Sequence, residues 1–505
     1  MRTDNVIKNS YFALLGQAVT VILKAITQIV FVRMLSVEYL GLNGLFANIL
    51  TMLSLAELGV GSAILYNMYK PMAQNDQKRI KALINFYKET YRKIGFFMLI
   101  VGFLLLPFLG YIIKDQPDIP ELKLIYILYV INNAVSYFFI YKQSILIADQ
   151  KKYVITKSDI VKNLIMNILQ IVILIITRSF LLYLCISILM TILFNIINSK
   201  IADTKYPYLV DNHEYLEKSE KNAIYKDVYA MMAHKLGGVI VTGTDNLLLS
   251  AFVGITAVGF YSNYVLILSS IKGFLNQVYE ALVSSIGDLI NTESTEKIYE
   301  VYKKMLFISF WITTIISIGF GCLSSYFVEI AFGKEYILSH EVVAIMALNF
   351  YVTDLTGIRA VTNKFKTAEG LFWNDRYKPY FESAINLIAS IVLLKLFGFV
   401  GILLGTLIST ITTGFWIEPL VLYKHAFNSK LREYFKIYIK NFTVFLLSWL
   451  VSYSMISFLE CSVISLIIGA LICILIPSFI ICIIYGRSME YKYVGQLLLK
   501  IVRRK

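Results

Sequence analysis

Residues 461–485 read CSVISLIIGALICILIPSFIICIIY, twenty-five consecutive positions without a charged side chain. A helix rises about 1.5 Å per residue, so roughly 20 apolar residues carry a chain across the hydrocarbon of a bilayer. This run is long and apolar enough to be one such crossing. Outward from it, the same ruler finds apolar runs near 9–33, 39–66, 94–113, 122–142, 153–176, 179–199, 228–253, 257–287, 305–327, 337–359, 379–396, 399–423 and 437–458. The pattern predicts an all-α membrane protein with about fourteen transmembrane helices. With 58% hydrophobic and 16% charged residues over 505 positions, the chain reads as one membrane domain. The weakest run is 153–176, whose first half is interrupted by Lys157, Asp159, Lys162 and Asn163.

A formal charge of +14 would suit a nucleic-acid binder if it clustered on a folded surface, but the basic residues lie in short segments between apolar runs. They read as a topology signal, since Lys and Arg near helix ends stay on the cytoplasmic side. Lys70, Lys78, Arg79, Lys81, Lys88, Arg92 and Lys93 fall in one inner segment; Lys142, Lys151, Lys152 and Lys157 fall in the next. Outer segments hold few, such as Arg33, Lys114 and Arg178. The expectation is a multi-pass membrane protein with both termini cytoplasmic and an even helix count. The first apolar run follows Arg2 and Lys8 without a small-residue cleavage pattern, so it is expected to be a retained helix. Cys185, Cys322, Cys461, Cys473 and Cys482 show no metal or redox spacing and read as small core residues.

A shift of 218 residues lays Leu40-Gly41-Leu42 on Val258-Gly259-Phe260, with Phe46 on Tyr264 and Ile49 on Ile267. The repeat predicts two pseudo-symmetric six-helix lobes around a central cavity, 1–200 and 228–424. A cytoplasmic linker over 201–227 joins them, and helices thirteen and fourteen with a basic tail occupy 425–505.

The repeat also pairs two polar stripes. In the first helix Gln17, Thr20, Lys24, Thr27 and Gln28 recur at spacings of three and four; in the seventh, Lys235, Gly238, Thr242, Asp245 and Asn246 do the same. Ionisable groups in a span cost about 2.5–3.5 kcal/mol each at the bilayer centre and therefore face protein or water. Lys24, Lys235, Lys272 and Arg359 are the candidate cations for an anionic headgroup, and Asp245 and Glu57 the candidate ion-coupling carboxylates. Gln17, Thr20, Gln28, Thr242 and Asn246 are the candidate cavity lining. The alternative for the same charges is buried ion pairing and snorkelling near the interfaces, the reading that suits Glu382, Glu418, Asp159 and Lys162. Gly398, Gly401 and Gly405 suggest close helix packing. Tyr261 and Tyr264 could offer surfaces to sugar rings. No catalytic order, metal spacing, cofactor fingerprint or Walker motif is present, so no catalytic, metal or cofactor site is expected, and a gradient would have to drive transport.

Ala368-Glu369-Gly370-Leu371-Phe372-Trp373-Asn374-Asp375-Arg376-Tyr377-Lys378-Pro379, followed by Glu382, Asn386 and Ser390, resembles a stretch of capsular repeat-unit flippases. Gly398 to Thr406, Glu57 to Tyr66, Thr244-Asp245-Asn246 and Tyr261-Ser262-Asn263-Tyr264 are also similar, so the likeness spans most of the chain. The chain resembles the Wzx-type oligosaccharide flippases of the multidrug, oligosaccharidyl-lipid and polysaccharide exporter superfamily. The resemblance implies two lobes and alternating access. The cargo it implies is an undecaprenyl-pyrophosphate-linked oligosaccharide, with coupling to H+ or Na+. It also implies work beside a polysaccharide polymerase and chain-length machinery in capsule or related assembly. Two rivals stand beside it: a cation-coupled multidrug exporter of the same superfamily, which would want an acidic cavity, and a membrane-bound polymerase or ligase, which would want a long outer loop.

Overall fold

The computed structural model describes residues 2–57, 60–114, 117–353, 356–427 and 429–503. All secondary structure among them is helical. The chain forms two compact units, Met1–Ser262 and Asn263–Lys505. In the first run α1 (Arg2–Met34), α2 (Val37–Leu53), α3 (Val60–Gln74), α4 (Gln77–Leu105), α5 (Leu109–Ile112), α6 (Leu122–Phe139), α7 (Gln143–Ala148), α8 (Lys152–Thr177), α9 (Phe180–Lys205), α10 (Lys218–Leu248) and the start of α11 (Ile255–Thr292). The second holds the rest of α11, then α12 (Thr295–Ala331), α13 (His340–Val352), α14 (Ala360–Ala368), α15 (Lys378–Phe397), α16 (Phe399–Thr412), α17 (Gly414–His425), α18 (Leu431–Ile456), α19 (Val463–Tyr485) and α20 (Met489–Arg503).

Ten helical segments among the described residues are long and apolar enough to cross a membrane. They include 152–177, the run that charges interrupt; there Lys162 pairs with Asp159 at 3.0 Å and the Lys157 ammonium lies 4.5 Å from the centre of the Phe12 ring. Each charge thus has a local partner and the helix continues. Local chemistry sets several ends. Asp76 accepts from Arg79 N at 2.9 Å to start α4, and Ser462 accepts from Ser465 N at 3.1 Å to start α19.

Several expected helices are interrupted. The run 94–113 is divided by a tighter turn over Leu106–Phe108 between α4 and α5. The run 39–66 is not one helix: α2 stops at Leu53, a tighter turn covers Ser54–Glu57, and α3 begins at Val60. The run 337–359 stops at Val352, which puts Arg359 at the start of α14 and not at the end of the preceding helix. The run 399–423 divides at Thr413 into α16 and α17.

The 218-residue repeat has a geometric counterpart within the first unit. A Cβ on Gly41 would collide with the Ile255 carbonyl oxygen, and one on Gly259 with the Val37 carbonyl oxygen. The shift carries Gly41 to Gly259 and Val37 to Ile255, so this is one contact made twice, the reciprocity of a two-fold-related pair. Gly44 faces Ser262, its own counterpart under the shift. α10 packs against α2 and α3 within the first unit.

The core of the first unit gathers Ile64, Met68, Leu83, Phe86, Tyr91 and Ile145. That of the second is largely aromatic: Tyr302, Phe310, Tyr351, Phe365, Tyr423 and Phe445 are buried, and Tyr351 stacks on Phe445 at 4.0 Å. Much of the second unit's aromatic content is therefore core.

Candidate functional site

The polar stripe of α1 meets a second stripe on α8. Asn9 bonds Gln150 O and Tyr153 N, Gly16 touches Thr156 and Ile160, Asn163 donates to Thr20 at 3.4 Å, and Thr27 donates to Asn167 at 2.6 Å. Contacts advance in step along both chains, so the helices run parallel. Lys24 lies between Thr20 and Thr27 and hence level with the middle of α8, Lys152–Thr177. Thr27 is buried, Gln17, Thr20 and Gln28 are half-buried, and Lys24 is exposed. Among the described residues Lys24 makes no hydrogen bond or ion pair. Asn167, the buried partner that holds the stripe in place, stood outside the candidate set; its signal is its four-residue spacing from Asn163.

Glu57 ends the tight turn between α2 and α3. Tyr91 of α4 donates to one carboxylate oxygen at 2.7 Å and Tyr137 of α6 to the other at 2.9 Å, with Ser54 Oγ 3.2 Å from the Tyr137 hydroxyl. Tyr87 lies edge-on to Tyr91 at 4.3 Å. A Cβ on Gly61 would press on the Tyr87 and Tyr91 hydroxyls at 3.3 and 3.2 Å, so glycine there admits both phenols to the break. The arrangement fixes a carboxylate between three helices by charge-assisted hydrogen bonds. Neither tyrosine is apparent as a site residue in the sequence, although the spacing of Tyr87 and Tyr91 puts them on one helical face.

Asp245 and Asn246 are buried at the end of α10, with Asn246 Nδ2 3.5 Å from Gly44 O. The side chains of Lys235 and Thr242 lie outside the described residues. Lys272 is exposed on α11 in the second unit. Tyr264 offers no sugar surface: it is fully buried, hydrogen-bonded to Ser325 and to Leu338 N.

Arg359 sits elsewhere in the second unit, in a cluster of charges. Its Nη2 donates to Glu418 at 2.6 Å, with the two side chains 1% and 0% exposed. Lys378 bonds the other Glu418 oxygen and lies 3.4 Å from Glu382; Lys366 bonds Asp375 and lies 4.0 Å from Glu418. Three bases face three acids. Gly414 makes room for this, since a Cβ there would collide with the Arg359 guanidinium. In this conformation Arg359 has no face open to a headgroup; it ties α14 to α17. The family-like stretch supplies Asp375, Lys378 and Glu382 to the cluster, while Asn386 donates to Thr406 at 3.0 Å and Gly401 and Gly405 bring α15 and α16 together.

The helices define a multi-pass membrane protein of transporter fold. The structure is similar to lipid II flippase MurJ in an inward closed conformation, at 16% identity over 94% of this chain and 98% of that one, with a TM-score of 0.67. It is also similar to an inward-facing multidrug resistance MATE family transporter of the same superfamily, at 15% identity over 83% of this chain and 99% of that one, TM-score 0.61. A Vibrio cholerae MATE transporter variant matches at 14% over 85% and 98%, TM-score 0.53. These identities speak to the fold. No curated protein sequence matches significantly. The family described as polysaccharide biosynthesis protein matches residues 6–289, more than half of the chain, and the protein belongs to that family, within the multidrug, oligosaccharidyl-lipid and polysaccharide exporter superfamily.

Proposed function

We propose that the protein is a flippase that carries undecaprenyl-pyrophosphate-linked oligosaccharide repeat units across the bacterial plasma membrane for capsule or similar polysaccharide assembly. Alternating access between lobes 1–200 and 228–424 is coupled to a gradient of H+ or Na+. The observation that carries this reading is Lys24, an exposed ammonium at the mid-depth of a membrane helix, in a member of a polysaccharide biosynthesis family. A lysine at that depth is stable only beside water or an anion, and a pyrophosphate is the anion this family's cargo would bring. Thr20 and Thr27 are held by α8, so the helix face that bears Lys24 is fixed before cargo arrives. Lys235 and Lys272 join Lys24 as headgroup cations in this reading, with Gln17, Gln28, Thr242 and Asn246 lining the path. Arg359 is reassigned to holding the second unit together.

Glu57 is the favoured coupling carboxylate, with Asp245 the second candidate. Occupation by a proton or cation would redirect the hydrogen bonds from Tyr91 and Tyr137 and so reach α4 and α6. The reading keeps fourteen spans, with 39–66, 228–253, 257–287 and 337–359 completing the ten, and both termini in the cytoplasm. The second reading, a cation-coupled small-molecule exporter, is favoured by the same half-buried carboxylate and by the likeness to MATE transporters.

A deletion strain decides between them. Undecaprenyl-linked repeat units should accumulate at the cytoplasmic face while surface polysaccharide disappears, with rescue by the wild-type gene. Lys24→Gln should cut rescue at least about tenfold at equal membrane abundance, and Lys24→Arg should retain most of it, because the ammonium's charge is what the headgroup meets. Unchanged glycan with altered drug tolerance would move the assignment to the exporter.

A further inference from the structure

Five bases lie within residues 359–378, and four of them meet carboxylates: Arg359 and Lys378 meet Glu418, Lys366 meets Asp375, and Lys364 lies 2.6 Å from Glu280. The fifth, Arg376, makes no ion pair among the described residues. Its guanidinium lies 4.1 Å from the centre of the Trp373 ring and 4.6 Å from that of Tyr377, and Nη1 donates to Trp373 O at 2.8 Å. Local chemistry builds this arrangement. Gly370, at φ +70°, ends α14 in the left-handed region, a tight turn covers Leu371–Trp373, and Pro379 sits in the first turn of α15, where a missing amide costs little. Arg376 is half-buried, while Trp373 and Tyr377 are 73% and 60% exposed.

α15 has twenty residues, enough to cross the hydrocarbon of a bilayer with none to spare, so its first turn lies at a membrane boundary. The span Phe399–His425 ends at the same level, since Asn374 Nδ2 and His425 Nε2 are 3.2 Å apart. Phe381, Ile388 and Val392 continue the face of α15 that Tyr377 begins, and all are exposed; Ser383, Asn386, Ser390 and Leu394 are buried on the opposite face. The exposed stripe of a span faces acyl chains, so the group at its head meets the headgroup layer, where Trp and Tyr rings settle. We propose that Arg376, held between Trp373 and Tyr377, binds the phosphate of an anionic phospholipid. Stacking fixes the plane of the guanidinium, and its Nε–Nη2 edge donates to two phosphate oxygens. The site opens on the acyl-facing side of α15, which selects a bilayer lipid as the occupant.

Native mass spectrometry of the purified full-length protein in detergent tests this, with phosphatidylglycerol, phosphatidylcholine or undecaprenyl phosphate as the added lipid. One phosphatidylglycerol should bind more tightly than those that follow, and phosphatidylcholine should not reproduce it. Arg376→Gln should weaken that first step about tenfold, the loss of a bidentate charge-assisted contact. Trp373→Leu should weaken it roughly threefold, because one of the two rings that orient the guanidinium is gone. Arg376→Lys keeps the charge without the planar fork and should fall between wild type and Arg376→Gln. Later binding steps and the melting point should match wild type in all three, as the folding control. Equal first-step affinity in wild type and Arg376→Gln would overturn the proposal. So would displacement of phosphatidylglycerol by undecaprenyl phosphate at equal concentration, which would give the site to the cargo. Binding is read without transport, so its failure leaves the flippase assignment untouched.

Discussion

Replacing Glu418 by glutamine keeps the shape of a side chain that is wholly buried and removes the one charge that Arg359 and Lys378 share. Glu418 lies 2.6 Å from the Arg359 guanidinium, bonds Lys378 and stands 4.0 Å from Lys366. The substitution turns three acids against three bases into two against three, leaving a cation buried without its counterpart. Removing one partner from a buried ion pair costs about 3–5 kcal/mol. That is roughly two to three and a half powers of ten in the folded population. For a cooperative unit of this size, each kcal/mol moves the melting point by about 2–4 °C, so a loss of at least about 6 °C is expected. Thermal challenge followed by size-exclusion chromatography of the detergent-solubilised protein reads this directly. The companion variant Glu418→Gln/Lys378→Gln restores two acids against two bases and should recover at least half of the loss, a coupling that a pair without interaction would not show. A single variant melting within about 2 °C of wild type, or a double variant worse than the two losses combined, would refute the account of the cluster as a balanced unit.

Gly414→Ala should destabilise the same region by about 1–3 kcal/mol, because the new methyl displaces the Arg359 guanidinium, and the loss should shrink in an Arg359→Ala background where nothing remains to displace. Tyr91→Phe/Tyr137→Phe leaves Glu57 without its two phenol donors; the expected result is transport in inside-out vesicles that loses its dependence on the imposed ion gradient while the protein's abundance holds. Gly41→Leu and Gly259→Leu should each weaken the α2–α11 contact to a similar degree, read as equal gains in the labelling of a cysteine introduced at Ser262, because the two positions face equivalent carbonyls.

Hydropathy made most of the helices legible, since a crossing of the hydrocarbon imposes a minimum apolar length that few side chains can disguise. The interrupted run at 153–176 shows how the reading survives charges that find partners nearby. What it could not foresee are the breaks. α2 stops at Leu53 where Glu57 is drawn to phenols from α4 and α6, and α13 stops where the chain must deliver Arg359 to a carboxylate 59 residues away in sequence. Arg359 and Glu418 were each visible as charges in apolar surroundings, but a cavity cation and a buried pair look alike until the partner's position is known. The reverse holds for Lys24, whose helical spacing already joined it to Thr20 and Thr27, and whose level beside Asn163 and Asn167 is a matter of tertiary packing. The 218-residue repeat was legible despite sparse identity because it preserves the glycines where two backbones meet.

That doubled glycine contact has a consequence for heredity. A duplicated segment ordinarily releases its two copies to diverge, one absorbing changes that the other need not share. Gly41 and Gly259 do not have that freedom, because each faces a carbonyl belonging to the other's copy, and any side chain gained at either site strikes a backbone that mutation cannot trim. Whatever freedom the rest of the repeat has to vary ends at this contact, where a change at either glycine meets the other segment's backbone.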